Sequence, residues 1–528
     1  MDNTPQKKRV LYGTFGIVSL VFFSIVLIIK SISPFMYLSR KYAIITVIIV
    51  FALFIFMFCF QRKIGSFFQS IIIAIDSLSY IKLLATIFIL SFFPKLICGL
   101  LMGIDSRNVN IDIFVYQNIA YELSTNGIVT TYADYCNSFP HLLWFGLFLA
   151  PVVKLFGTNQ IALCVFFDIL LTLTSLLLFC VFAKNTSKTK SFFAIALFSL
   201  LPSTVLLPQF ITHEIPFLFF LVLAIWIYCN KLYTKGKKLR RLVLFCAFLF
   251  SLSFAIMLNA CGYIALIAFG ITIIVFEIET KILKRVGKCF FMVFFVGLIL
   301  IGFTNILKPM MLNNNLVSNA RVNNVQWTLF VGSNVSSNGG FTAEDQKQFA
   351  WSFNDCNTLD EQGWSDEAVI SLRNNLFQDR LSSLFKEPLP TIKLLFTKFG
   401  KIWSFINYTY FAIPPLIEND ENRNIYSELF MPILISIEIS VSIVVLLLSI
   451  RNVRKSRYLR NNAYQFSILF MVGCTFLFLM TECNSKYTIT LQPFFWMVVI
   501  LNTKKPKFFD FLNHKDMKKQ KLERKNIE

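Results

Sequence analysis

Histidine is rare in this sequence, and its cysteines follow no metal-binding pattern. Only three histidines occur among 528 residues, so a zinc or haem centre built from several histidines is not expected. The 12 cysteines are scattered, mostly inside apolar runs, without CxxC spacing. Such cysteines are typical of small apolar side chains rather than of metal ligands or disulfides. No metal site or cofactor is predicted from these residues, and a divalent cation at a catalytic site stays optional.

The sequence also lacks the glycine-rich motifs that bind nucleotide phosphates. Neither GxxxxGK[ST] nor GxGxxG occurs, and no GxSxG nucleophile turn is present. The backbone N–H groups of such loops cradle phosphates, so their absence argues against transport driven by ATP binding to this chain.

Charged residues are few in this sequence, and long apolar runs are many. The chain is 56% hydrophobic and 16% aromatic, with 61 Phe and only 15% charged residues. Apolar runs of membrane-spanning length recur along it. The formal charge of +21 comes from Lys and Arg that crowd into short loops between these runs, which excludes a nucleic-acid-binding role. The sequence predicts an all-α polytopic membrane protein.

The basic loops orient the chain in the membrane. Those expected in the cytosol are the N-terminus, residues 183–190, 230–241, 279–288 and 451–460, and the Lys-rich tail from Lys504. All of these loops can lie in the cytosol only if one of the apolar runs between residues 104 and 183 does not cross the membrane. The run 140–157 is the weakest candidate for a membrane crossing, because Pro151 interrupts it and Lys154 places a charge in it. We therefore expect about twelve crossings, with 140–157 re-entrant or interfacial and both termini cytosolic.

The same pattern divides the chain into four parts and puts the polar chemistry outside the cytosol. The parts are a transmembrane catalytic module at 1–306 with a first outer loop at 104–159, an outer loop region at 307–427, C-terminal transmembrane helices at 428–502, and a basic cytosolic tail at 503–528.

The first outer loop contains an amphipathic helix with a carboxylate at its start. In "NVNIDIFVYQNIAYELSTNG" (108–127), Asp112 begins the helix and Gly127 can end it. One face carries an apolar set, namely Tyr116, Ile119, Ala120 and Leu123. Asp112 is either an N-cap that bonds free backbone N–H groups or a catalytic carboxylate.

Three other places put ionisable or polar side chains beside apolar runs on the outer side. His213–Glu214 precedes "IPFLFFLVLAIWIY", where Glu214 is either a helix-start carboxylate favoured by the dipole or a site residue. Glu482 and Lys486 are spaced i,i+4, as in an ordinary local ion pair or in a binding site. The third, "SFPHLL", places Tyr135 and His141 before the run 140–157, where simple turn packing is the alternative.

Taken in order, these motifs resemble a known family. The segments are "DIFVYQNIAYELSTNG" (112–127), "YADYCNSFPHLLWF…KLFG" (132–157), "PQFITHEIPFLFF" (208–220) and "ECNSKYTITLQP" (482–493). They resemble the GT-C class of integral membrane glycosyltransferases, particularly bacterial relatives of the dolichyl-phosphate-mannose protein mannosyltransferases and of the aminoarabinose lipid A transferases. The resemblance implies a GT-C-like fold with an amphipathic first outer loop and a large outer loop before the last three helices.

The resemblance also implies an activity and roles for particular residues. A sugar is taken from a polyprenyl-phosphate carrier, in contact with membrane lipids on the outer face of a bacterial plasma membrane, and passed to a lipid, glycan or protein acceptor. Asp112 is the expected general base, and Glu214 is a second acidic residue expected to act in catalysis. Glu482 and Lys486 are expected near the carrier phosphate. The sugar or carrier contacts implied are Tyr116, Tyr135, His141, His213 and Tyr487. Lys486 stands where Arg is commoner, and His213 where Asn or Asp is more usual.

Two other functions are compatible with the sequence. A transporter or flippase of lipid-linked sugars predicts ionisable residues buried mid-helix and inverted repeats, and Asp168 is the clearest mid-span charge. A polysaccharide polymerase or ligase relies on basic residues in the large outer loop, where Arg321, Arg373 and Arg380 are candidates. The early Asp112 loop favours the glycosyltransferase.

Overall fold

Helices make up nearly all of the regular structure, as the apolar runs predict. The computed structural model describes residues 4–37, 40–59, 61–102, 112–184, 186–231, 238–277, 280–313, 323–349, 363, 365–404, 417, 420–454 and 457–503. Within these ranges no residue lies in a β-strand, and an isolated parallel bridge joins Val129 to Leu312. Arg321, residues 350–362 of the outer loop region and the tail from Lys504 lie outside the described residues.

The helices follow one another in this order: α1 Thr4–Tyr37, α2 Arg40–Cys59, α3 Gln61–Ser77, α4 Tyr80–Met102, α5 Asp112–Thr125, α6 Ala133–Ser138, α7 Pro140–Phe156, α8 Gln160–Ala183, α9 Lys188–Leu200, α10 Pro202–Leu206, α11 Glu214–Trp226, α12 Lys238–Leu258, α13 Cys261–Ile271, α14 Ile282–Gly302, α15 Lys308–Met311, α16 Asn324–Gly332, α17 Ala343–Gln348, α18 Asp366–Lys386, α19 Pro388–Trp403, α20 Asp420–Ile425, α21 Met431–Val453, α22 Asn462–Met480 and α23 Gln492–Asn502. A 3₁₀ turn, Ser485–Thr490, joins α22 to α23.

Many of these helices are long and apolar enough to cross a membrane. Seven described segments qualify: Val10–Ser33, Tyr80–Leu101, Gln160–Ala183, Lys238–Leu258, Ile282–Met311, Asp420–Ile450 and Asn462–Met480. Shorter apolar helices are Tyr42–Ala52, Pro140–Phe156, Glu214–Cys229, Cys261–Phe276 and Gln492–Asn502. The chain is therefore an all-α polytopic membrane protein.

The apolar segment at 191–207 forms two helices that meet at a bend rather than one straight helix. Lys188–Leu200 and Pro202–Gln209 meet at an angle of 60° and give an eighth span if counted together. Pro202 causes the break, because its ring fixes φ and disfavours helical backbone in the residue before it; Leu201 accordingly has ψ 136°. The break turns the chain toward the start of α11, where His213 and Glu214 lie.

Helices α5 and α7 form a closely packed pair. A Cβ at Gly146 of α7 would clash with the side chain of Ile119 on α5, so only glycine permits this approach. The predicted apolar face of α5 is buried, with the addition of Gln117. The Gln117 side chain donates to Oε1 of Gln160 at 3.0 Å, so the start of α8 also lies beside α5. Helix α7 is thus held along α5 and has only 17 residues.

Helix α19 is amphipathic and covers the loops near the end of α22. Its Trp403 donates to the Thr475 hydroxyl on α22 at 3.1 Å and packs edge-on against Phe22 of α1, with ring centroids 5.3 Å apart. Its opposite face exposes Leu389, Ile392 and Phe396. In a membrane protein such a face suits the boundary between lipid and water.

Candidate functional site

The centre of the site is an ion pair between residues far apart in the sequence. The Lys486 ammonium lies 3.1 Å from Oδ2 of Asp112, across 374 residues of chain. Asp112 is the first residue of α5, and Lys486 lies in the 3₁₀ turn after α22. The backbone N–H of Lys486 is held by the Asn484 side chain at 3.1 Å. The structure therefore joins the first and last of the predicted motifs.

The motif that contains His213 and Glu214 lies against the same pair. The Tyr116 hydroxyl, one turn after Asp112, is 3.4 Å from Nδ1 of His213. The other ring nitrogen of His213, Nε2, is 3.5 Å from Oε1 of Glu214. Glu214 is buried; its oxygens make no hydrogen bond of full geometry among the described residues, although His213 and Thr212 lie near enough to interact with them. These oxygens can accept a hydroxyl group of a substrate, since a buried carboxylate needs such donors.

Aromatic rings and His141 line the site. The His141 and His213 rings are 4.9 Å apart, and Phe145 contacts both Tyr116 and His213 edge-on. Tyr135 lies near enough to Asp112 for the carboxylate to raise the pKa of its phenol, together with burial, the larger cause. The Tyr135 phenol is therefore a neutral hydrogen-bonding group at physiological pH. Rings and hydroxyls of this kind are suited to sugar binding.

Glu482 and Tyr487 complete the cluster. Their side chains lie close enough to influence each other's charge, and both interact with the charge of Lys486. Burial raises the pKa of Glu482, and Lys486 opposes this rise. All nine predicted site residues thus lie in one electrostatically connected group, in which Lys486 forms its salt bridge with Asp112 and acts on Glu482 through its charge.

The charges of the site are set by these neighbours. Lys486 is the main reason that the pKa of Asp112 is lowered, which outweighs the opposing effect of burial. Burial lowers the pKa of His213 to about 3. At neutral pH the site therefore holds an ionised Asp112, a cationic Lys486 and a neutral His213. With Nε2–H directed to Glu214, the Nδ1 of His213 can accept from the Tyr116 hydroxyl.

The neutral state of His213 predicts that acid destabilises the fold. The unfolded chain takes up a proton near pH 6.5, whereas folded His213 resists it until about pH 3. The unfolded state therefore binds more protons in this window, and stability falls as pH decreases, by up to about 1.4 kcal/mol per pH unit. We expect the detergent-solubilised protein to unfold at a lower temperature at pH 5.5 than at pH 7.5.

Replacing this residue, in His213→Gln, should reduce that difference. Comparing two pH values within each protein separates the proton effect from the cost of the substitution itself. An equal pH difference in both proteins would show that His213 is not the group that resists protonation.

The turn that carries Glu482 and Lys486 is held by residues that the sequence did not single out. Lys398 of α19 is buried and donates to the carbonyls of Gly332 at 2.9 Å and Thr481 at 2.7 Å. The backbone N–H groups of Glu482 and Cys483 donate to Thr328 at 2.7 Å and Gly339 at 2.8 Å, respectively. Burial is the main cause that lowers the pKa of Lys398 to about 8.

Of the basic residues that a polymerase or ligase would use, the two that the structure describes make contacts that stabilise the fold. Arg380 pairs with Asp345 and lies 3.7 Å from the Phe330 ring centroid. Arg373 donates from Nε to the Phe349 carbonyl at 2.8 Å. Both contacts hold α18 against the loop region that precedes it.

The described residues contain no group of three or more His, Cys, Asp and Glu side chains placed to hold a metal ion. The chemistry available from the described side chains is thus a carboxylate base, an ammonium cation, a second buried carboxylate and a neutral imidazole. Comparison with protein-family models, curated proteins and solved structures finds no match to this chain.

Proposed function

We propose that this protein is a GT-C glycosyltransferase that moves a sugar from a polyprenyl-phosphate carrier to an acceptor hydroxyl. The observation that carries the proposal is the ion pair between Asp112 and Lys486, with His213 and Glu214 against it. Four chain segments, each chosen from its sequence pattern, converge on this pair. The order of the motifs resembles the GT-C class, and the convergence supports that resemblance.

The charges suit the two halves of a glycosyl transfer. The acceptor oxygen forms a bond to the anomeric carbon as the bond from that carbon to the carrier phosphate breaks. Asp112 takes the proton of the acceptor hydroxyl, a role that typically contributes about 10²–10⁴-fold to the rate. Lys486 offsets the charge of the departing polyprenyl phosphate. Glu214, His213 and the surrounding rings orient the sugar.

The proposal includes a topology finer than helix length alone gives. About twelve segments cross the membrane, α7 is re-entrant or interfacial, and both termini are cytosolic. The site then lies on the outer face of a bacterial plasma membrane. Asp112 and Glu214 begin α5 and α11, and Glu482 and Lys486 follow the end of α22, whereas the basic residues near Arg460 precede the start of α22. The basic residues near Arg460 and the turn that carries Glu482 and Lys486 thus lie at opposite ends of α22.

The test is a transfer assay with protein reconstituted in lipid vesicles. Polyprenyl phosphates carrying different labelled hexoses or pentoses are supplied with candidate lipid, glycan and protein acceptors. We expect label to move from carrier to acceptor for at least one donor. Donor analogues with a diphosphate in place of the phosphate should be poorer substrates, because the single positive charge of Lys486 offsets less of the charge of a diphosphate.

Replacing Lys486 by glutamine should impair donor binding and shift the pH profile. Loss of the cation removes a charge-assisted contact to phosphate, so we expect the donor KM to rise about tenfold or more. Because Lys486 lowers the pKa of Asp112, the acid limb of the rate profile should move to higher pH in Lys486→Gln. Lys486→Arg keeps the charge and should preserve the acid limb; an unchanged limb in Lys486→Gln would contradict the coupling.

Transport of lipid-linked sugars is a second candidate, because ionisable residues are buried within helices that could span the membrane. Lys30, Lys95, Asp168 and Glu438 are all buried there. The vesicle assay separates the candidates. A transporter moves intact sugar-lipid between leaflets, whereas the proposed enzyme breaks the sugar–phosphate bond.

A further inference from the structure

A cleft between α4 and α8 contains two buried ionisable groups that glycosyl transfer does not use. Lys95 on α4 and Asp168 on α8 line it, together with Gln160, Cys164 and Gln209. Lys95 is fully buried and Asp168 is 2% exposed. Both belong to helices long and apolar enough to span a membrane, where ionisable groups are costly. Such a pair requires either mutual satisfaction or a ligand.

The two groups do not satisfy each other fully. Oδ1 of Asp168 accepts a hydrogen bond from Thr172 at 3.4 Å, while Oδ2 is buried without a hydrogen-bond partner among the described residues. The ammonium of Lys95 turns back to its own helix, where it donates to the carbonyl and, at 2.9 Å, to the hydroxyl of Ser91. The floor of the cleft therefore presents an unused acceptor oxygen in the field of a nearby ammonium.

The cleft opens toward lipid and is closed toward the transfer site. Leu100 and Ile161 at its rim are 59% and 58% exposed, and both lie on membrane-spanning segments. On the other side, Gln160 accepts from Gln117 of α5 at 3.0 Å and donates to the Gln209 carbonyl at 3.4 Å. These bonds separate the cleft from α5 and its Asp112. A ligand must therefore enter from the bilayer.

The charges select the polar group of such a ligand. A phosphate would bring negative charge against Asp168, and a quaternary ammonium would bring positive charge against Lys95. A neutral hydroxyl fits both, because its oxygen can accept from Lys95 while its hydrogen is donated to Asp168. The narrow floor admits a group of about this size, and the apolar walls of Leu96 and Val165 suit alkyl chain. We propose that this cleft binds the free hydroxyl of a neutral membrane lipid of the diacylglycerol class.

The experiment compares two photoactivatable lipid probes that differ only at the hydroxyl. One is a diacylglycerol with a diazirine in an acyl chain, and the other is its acetyl ester. With the full chain in vesicles, we expect about tenfold stronger labelling by the free alcohol, the effect of one hydrogen bond to a charged group. Peptide mapping should place the label in residues 95–100 and 160–168.

Variants test whether Asp168 causes this preference. Asp168→Leu should lower labelling by the alcohol to the level of the ester. Glu438→Leu, which replaces another buried carboxylate of a membrane-spanning segment away from the cleft, should keep the preference. If Asp168→Leu does not fold, Leu100→Trp at the rim should block the cleft and abolish labelling there. Equal labelling of wild type by the two probes, or label mapped elsewhere, would overturn the proposal and leave a pocket that holds water only. The proposal does not depend on the glycosyltransferase activity.

Discussion

Asp112→Asn should reduce the rate of sugar transfer by about 10²–10⁴-fold while leaving donor binding largely in place. The amide has nearly the shape of the carboxylate but cannot take the proton of the acceptor hydroxyl. The loss should therefore appear in kcat, whereas the donor KM depends on Lys486 and should change less. The measurement is steady-state transfer from a labelled polyprenyl-phosphate sugar at saturating acceptor.

A matched variant separates this effect from the loss of any ion pair. Asp420 pairs with Arg423 at 2.8 Å, and its side chain is 84% exposed. Asp420→Asn should therefore transfer sugar at the wild-type rate, since exposed pairs contribute little. Full activity in correctly folded Asp112→Asn would return Asp112 to the role of a helix-start residue that pairs with Lys486.

Gly332→Ala should both destabilise the protein and impair transfer, although Gly332 is not itself a reacting group. A Cβ at this position would clash with the backbone carbonyl group of Thr481. Forcing such an overlap into packed structure typically costs about 1–3 kcal/mol. Relief of the clash must shift Thr481 and with it Glu482 and Lys486. A displacement of about 1 Å at a catalytic group can lower the rate about 10²-fold.

Gly297→Ala is the control for this prediction. Gly297 lies within α14, and no atom lies within 4 Å of a Cβ added there. Alanine favours helix by up to about 1 kcal/mol over glycine, so this variant should be as stable as the wild type or slightly more so. Thermal unfolding in detergent and transfer rate are measured for both. Equal behaviour of the two variants would mean that the Gly332–Thr481 contact does not position the turn.

Local sequence pattern was sufficient to predict several elements of this fold. The apolar face and the start of the helix at Asp112 are confirmed, because a period of 3.6 residues and a flanking glycine are local signals. The expectation of about twelve crossings is not decided by local pattern or helix length alone. Among the described residues, Pro140–Phe156, Glu214–Cys229, Cys261–Phe276 and Gln492–Asn502 have 17 residues or fewer, so length alone does not show that they span.

The partners of the site residues could not be predicted, because they depend on how distant segments pack. The spacing of Glu482 and Lys486 suggested a local pair, whereas the lysine forms its salt bridge with Asp112, 374 residues away in the chain. Lys398 carries no motif at all; its role follows from two backbone carbonyls that only the folded loops bring within reach. Lys95 could be recognised only once α4 was placed against α8 and its Asp168.

The most direct test of the account is the product balance of a reconstituted reaction. Purified protein in lipid vesicles is given a labelled polyprenyl-phosphate sugar and its acceptor, and both products are quantified by mass spectrometry. The account predicts equal amounts of glycosylated acceptor and free polyprenyl phosphate, formed by wild type and Asp420→Asn but not by Asp112→Asn. Carrier cleavage that proceeds equally in Asp112→Asn, or sugar-lipid that crosses the bilayer intact without cleavage by the wild type, would contradict it.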